Sequence, residues 1–152
     1  MRAASAQRHE AMSGHPVPAN HPLTISKAEG ASRQVEEAIK ALERGDFDIA
    51  ITLAGAAEGM LERSGHHMWS FMMKSPQAGA FDEKKELVPF LNAERDWLKH
   101  PSGDDTKTLT RAHAALMIVR AMSKLETWSP RMQRVKRWYE RNLDEVLREL
   151  DL

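Results

Sequence analysis

Asn92, Arg95, Asp96, Lys99 and His100 form the most compact group of side chains, outside the first residues of the chain, of the types used for acid–base chemistry and anion binding. They lie in Asn92-Ala93-Glu94-Arg95-Asp96-Trp97-Leu98-Lys99-His100-Pro101. Steps of three and four residues put Asn92, Arg95 or Asp96, and Lys99 on one helix face. Ala93, Trp97 and Leu98 then point elsewhere, towards a core. Pro101 ends the helix, because it lacks an N–H and disfavours helical backbone in the residue before it. His100 therefore stands at the helix end, free to fold back over Arg95 or to reach outward. The same residues also suit a plain helix terminus. There, Lys and His meet the last carbonyls and the negative end of the dipole, and Arg95 and Asp96 face water.

The elements that must position this group read as helices throughout. Residues 1–23 carry Ala, Ser, Gly, His and Pro with almost nothing to bury, and read as a disordered tail. Residues 24–152 read as one domain. Ser26-Lys27-Ala28-Glu29 is a capping box, and its helix runs to Arg44, before Gly45. Ala28, Ala31, Val35, Ala38, Ile39 and Leu42 make its apolar stripe, with Glu36 on the wet side. A second helix, capped by Asp46 or Asp48, runs from Phe47 to about Arg63. It is apolar nearly all round, which marks it as central. Glu58 lies on its stripe, where a carboxylate stays at the rim or finds a partner.

Residues 64–81 read as irregular, with a Met- and aromatic-rich insert, Met68 to Lys74, suited to a lid or a contact surface. The third main helix, Asp82 to His100, contains Pro89 and is expected to kink or restart there. Thr108 or Thr110 caps a fourth, which turns Leu109, Ala112, Ala115, Leu116, Val119, Met122 and Leu125 inward, with His113 beside them. Ser129-Pro130 opens a fifth that runs to about Leu150. Basic residues crowd its first half and acidic residues its second, against the helix dipole. An antiparallel second copy or a phosphate backbone would select that order; a solvated amphipathic end would tolerate it. The expected fold is all-α, an up-and-down bundle of about five helices.

Composition narrows the function. The chain has 152 residues, 41% hydrophobic and 29% charged, with zero formal net charge, so a general nucleic-acid footprint is absent and any basic patch is local. No cysteine is present, which excludes disulfides, thiolate metal sites and thiol nucleophiles. No apolar run is long enough for a bilayer, and a cytoplasmic protein without membrane contact is expected. Glu58, Glu62 and His66, with His67 adjacent, could line one face for a metal, but Ser64-Gly65 breaks the helix before His66. The Glu-x-x-His pairs of di-iron bundles are missing. Phosphate-binding loops and dinucleotide fingerprints are missing too, so no cofactor is expected.

Arg95, Asp96 and then His100 resemble the motif of the HEPN superfamily (higher eukaryotes and prokaryotes nucleotide-binding). In that motif an Arg, favourably followed by Asn, Asp or His, precedes a His by a short stretch. The resemblance extends to Arg33-Gln34-Val35-Glu36-Glu37-Ala38-Ile39, to Ile51-Thr52-Leu53-Ala54-Gly55-Ala56-Ala57-Glu58 and to Trp97-Leu98-Lys99-His100. These look like segments of small bacterial HEPN-like proteins and cover residues 25–147 loosely. The resemblance implies a dimeric helical bundle, in many members a metal-independent RNA endonuclease or toxin, with an antitoxin-like protein as a possible partner. It implies that His100 deprotonates a ribose 2′-hydroxyl, that Arg95 holds the adjacent phosphate and that Asp96 orients Arg95 or His100. Lys99 and Asn92 would hold the RNA backbone, and Glu58 aligns with an acidic residue of the second helix. Some relatives carry a Tyr two residues after the His; here Ser102 stands there, and the one tyrosine is Tyr139. The alternative is a non-catalytic dimeric module that binds through the Met68 to Met73 insert and the last helix.

Overall fold

The computed structural model describes residues 16–62 and 84–152, with the backbone alone for 84–88. The described residues form six helices and no strand. They are α1 (Lys27–Arg44), α2 (Phe47–Met60), α3 (Lys84–Lys99), α4 (Arg111–Met122), α5 (Pro130–Arg141) and α6 (Leu143–Glu149). The all-α bundle is as expected. The insert from Met68 to Lys74, His66, His67 and the first fifteen residues of the tail lie outside the described residues. Residues 16–23 carry no helix or strand and are exposed.

Local chemistry sets most helix starts. Ser26 Oγ accepts from the Glu29 N–H, and the Glu29 carboxylate accepts from the Ser26 N–H at 2.7 Å. That reciprocal pair opens α1. Gly45, at φ 81°, closes it in a conformation that costs glycine nothing. Thr110 caps α4, and Ser129 caps α5 with Pro130 in its first turn. Asp46 precedes α2 without a side-chain cap, its carboxylate taken by Arg44 at 3.0 Å.

α1 buries Ala31, Val35, Ala38 and Ile39 as the stripe requires, although Ala28 is exposed. Glu36, expected in water, is half-buried against Ser129 Oγ and Arg131 of α5. α2 packs on α1, α3 and α4 through Ala50, Ile51, Ala54, Gly55 and Ala57. It ends at Met60, short of Arg63, and Ile49 and Thr52 on its other face are exposed. The more enclosed helix is α4, in which every residue from Ala114 to Met122 is buried. α3 runs unbroken through Pro89, so no restart occurs there.

The expected fifth helix is two. Asn142 ends α5, its amide Nδ2 donating to the Trp138 carbonyl at 2.8 Å, and α6 begins at the next residue. The break eases the conflict with the dipole, although Arg131 stays in the first turn of α5, where Glu36 pairs with it at 3.2 Å. Arg141 now sits in the last turn of α5, while Asp144 and Glu145 sit in the first turn of α6. α6 folds back on α4, where Arg111 Nη2 meets Glu145 at 2.9 Å and Glu149 at 2.7 Å. The same guanidinium lies 5.2 Å from the Trp138 ring centre.

Tyr139 is packed in the core at 6% exposure, and burial pushes its phenol up from its ordinary value. A raised acid in the folded state gives stability that is whole below the unfolded value, about 10, and is lost as pH rises through the folded one. Tyr139→Phe is expected to flatten the alkaline fall of the melting temperature. As Tyr139 is the one tyrosine, phenolate absorbance reads its titration directly.

Candidate functional site

The site starts from a carboxylate in the wrong place. Glu58 sits on the inward side of α2 at 6% exposure, not at the rim. An unpaired buried carboxylate costs several kcal/mol, more than the roughly 1.5–3 kcal/mol that burying a leucine returns. Arg120 of α4, 2% exposed, resolves this: its Nη2 donates to Glu58 Oε1 at 3.0 Å. Nη2 also donates to Asn92 Oδ1 at 3.0 Å, and Nη1 donates to the Leu91 carbonyl at 3.0 Å. One guanidinium thus ties α2, α3 and α4 together. Lys124 closes the end of α2, donating to the Glu58 and Leu61 carbonyls at 2.8 and 3.3 Å.

Arg95 stands one step further out, with its side chain 23% exposed. Its Nη1 is 3.9 Å from Glu58 Oε2, an electrostatic approach rather than a hydrogen bond. Its Nε and Nη2 both donate to Asp96 Oδ1, at 3.1 and 3.0 Å. The stem reaches that position across Gly55: a Cβ there would lie 2.9 Å from Arg95 Cγ and 3.0 Å from Cδ. α2 therefore offers Arg95 a groove that only glycine leaves open.

His100 follows at the helix end. Its main-chain N–H donates to the Asp96 carbonyl at 3.1 Å, which completes the last turn. Its imidazole is exposed, with no hydrogen-bond partner among the described residues, and Lys99 beside it is exposed too. Five residues of helix separate Arg95 from His100 by about 7.5 Å along the axis. Trp97, expected inward, is turned to the following loop: its Nε1 donates to the Asp104 carbonyl at 2.8 Å, and Gly103, at φ 103°, packs against the ring. That contact holds the chain after Pro101 against α3.

The structure thus brings Glu58, Asn92, Arg95 and Asp96 together and leaves Lys99 and His100 on the open end of the same helix. Glu58 and Asn92, expected at the substrate, direct a carboxylate and an amide oxygen to Arg120. Among the described residues no group of three His, Asp or Glu side chains could hold a metal.

Sequence reasoning missed Arg120. The signal was present: Leu116-Met117-Ile118-Val119-Arg120-Ala121-Met122 holds one cation in an apolar run, as the stretch Ile49 to Met60 of α2 holds one carboxylate. It also missed Glu94. A cavity of about 460 Å³ opens between α3, the N-terminal end of α4 and the C-terminal residues, and Glu94, Arg95, Lys107 and His113 line it. His113 Nδ1 accepts from the Thr110 N–H at 3.1 Å, which turns Nε2 towards Glu94 Oε1, 3.3 Å away. His113 is locally satisfied, as its position beside the buried face suggests, and its Nε2 edge faces Glu94. Compared with protein-family models, with curated proteins and with solved structures, the chain matches none.

Arg120→Met leaves Glu58 buried without its cation, and a loss of about 3–5 kcal/mol is expected in urea denaturation. The pair Glu58→Leu with Arg120→Met is expected to cost less than the two single changes summed. Gly55→Ala is expected to cost about 1–3 kcal/mol by displacing Arg95. Gly59→Ala, with nothing within 4 Å of its new methyl, is the control that does not destabilise.

Proposed function

We propose that the protein is a HEPN-like, metal-independent endoribonuclease that acts as a homodimer, with Arg95 and His100 as its catalytic residues. The observation that carries the reading is the different setting of two arginines. Arg120 takes the buried Glu58 at 3.0 Å. Arg95 is left at the edge, partly exposed and held in place by Asp96, one helical stretch from an unengaged imidazole.

In this mechanism His100 takes the proton of a ribose 2′-hydroxyl. The 2′-oxygen attacks the adjacent phosphorus, the bond to the 5′-oxygen breaks, and a 2′,3′-cyclic phosphate and a 5′-hydroxyl result. The protonated imidazole, or that of the second copy across a shared groove, returns a proton to the leaving oxygen. Arg95 turns its fork from Asp96 to the phosphoryl oxygens and stabilises their charge. Lys99 holds a flanking phosphate as a point charge. Glu58, Arg120 and Asn92 position α3 and touch no substrate. With zero formal net charge, attraction for RNA is local, and at this end of α3 it comes from Arg95 and Lys99. An antitoxin-like partner would act by covering Lys99 and His100.

The competing reading is a non-catalytic dimeric binding module. The fact in its favour is that Arg95 already has a carboxylate at 3.0 Å.

The deciding experiment is RNA cleavage in excess EDTA. Wild type is expected to cut RNA and to leave DNA of the same sequence whole, since DNA lacks the attacking hydroxyl. His100→Ala and Arg95→Ala are expected to cut roughly 10²–10⁴-fold more slowly, with the His100→Ala melting temperature unchanged. Intact RNA in the presence of stable wild-type dimer rejects cleavage and leaves the binding module.

A further inference from the structure

We infer that the cavity beside Arg95 is a nucleobase pocket that selects guanine next to the scissile phosphate. The inference rests on the endoribonuclease reading and gives that site its sequence preference. The volume, about 460 Å³, falls within the range of small-ligand pockets, about 300–1,000 Å³. Phe90, Leu116 and Met117 supply apolar walls suited to the faces of a base. Arg95 lines the same cavity, so a base seated there belongs to a nucleotide whose phosphate is within reach of the proposed chemistry.

Glu94 supplies the selection. Its side chain is 16% exposed, and its Oε1 is approached by His113 Nε2 at 3.3 Å and by Lys107 Nζ at 3.8 Å. The capping interaction of Thr110 with His113 Nδ1 holds the imidazole with its Nε2 edge beside the carboxylate. Oε2 has no partner among the described residues, and a carboxylate offers about four acceptor sites in all. What remains is an acceptor pair in a hollow with apolar walls at Phe90, Leu116 and Met117, and with the carboxylates of Glu149, which Arg111 holds at 2.7 Å, and Asp151 at its C-terminal side. Guanine is the RNA base that presents two adjacent N–H donors, at N1 and N2, to such a pair. Adenine would set its N1 lone pair against the carboxylate, and cytosine its N3. Uracil offers one N–H flanked by two carbonyls. Lys107 balances the charge of Glu94 and is placed to donate to the guanine O6 edge.

The test uses wild-type protein and RNA oligonucleotides that differ in a single base, G or A, beside one cleavable linkage. Cleavage is expected to favour G, and Glu94→Gln is expected to lose roughly ten- to a hundredfold of that preference. Circular dichroism checks that the variant folds. Lys107→Gln, a change further from the core, is expected to lower the preference in the same direction. Wild-type cleavage indifferent to the base, or a preference unchanged in Glu94→Gln, overturns the pocket and leaves the nuclease intact. If wild type cuts no RNA, the nuclease reading fails. The pocket is then judged by calorimetric titration with guanosine and adenosine monophosphates. Tighter binding of the guanosine nucleotide, lost in Glu94→Gln, supports it; equal or absent binding overturns it.

Discussion

A carboxylate buried on an alanine-rich helix must be met by a cation, and in this bundle the demand of Glu58 organises three helices at once. Arg120 answers from 62 residues away in sequence, and the same guanidinium takes an amide and a main-chain carbonyl of α3. An arginine suits this place because its rigid fork of donors can serve several acceptors in fixed directions. The small residues of α2 are part of the same solution. They let α3 approach closely enough for Leu91 and Asn92 to reach the guanidinium, and they leave the groove through which Arg95 passes.

One consequence is that the two arginines near Glu58 are not equivalent. The inner one is enclosed and bonded on both terminal nitrogens. The outer one approaches the same carboxylate only at 3.9 Å and leans on a neighbouring Asp that is itself 46% exposed. A phosphate can compete with an exposed carboxylate for a guanidinium far more easily than with a buried one, because the exposed pair is screened and weak. The stability of the bundle and the chemistry proposed for α3 therefore draw on different cations.

The far end of the chain shapes the neighbouring hollow. Because α5 stops at Asn142, α6 can turn back and bring Glu145 and Glu149 to Arg111. Glu149, Leu150 and Asp151 then line the cavity whose other side holds Glu94 and His113. A single straight helix from Pro130 to Leu150 would leave that wall unbuilt. The charge order that looks unfavourable along one helix is eased in two, with Arg141 closing the first and Asp144 and Glu145 opening the second.

The sequence alone determined what depends on near neighbours. The caps at Ser26 and Ser129, the stop at Pro101, the inward stripe of α1 and the helical class of the described residues are short-range matters of hydrogen-bond supply and apolar spacing. So was the grouping of Arg95, Asp96 and His100 at one helix end. The tertiary structure alone decided where the isolated charges went. Nothing local to Glu58 states whether it is wet or buried; the answer lies in a cation on another helix. The inward commitment of Asn92, the Glu94–His113 contact and the break at Asn142 have the same character. Each is settled by a partner distant in the chain, and spacing along one helix carries no record of what packs against it.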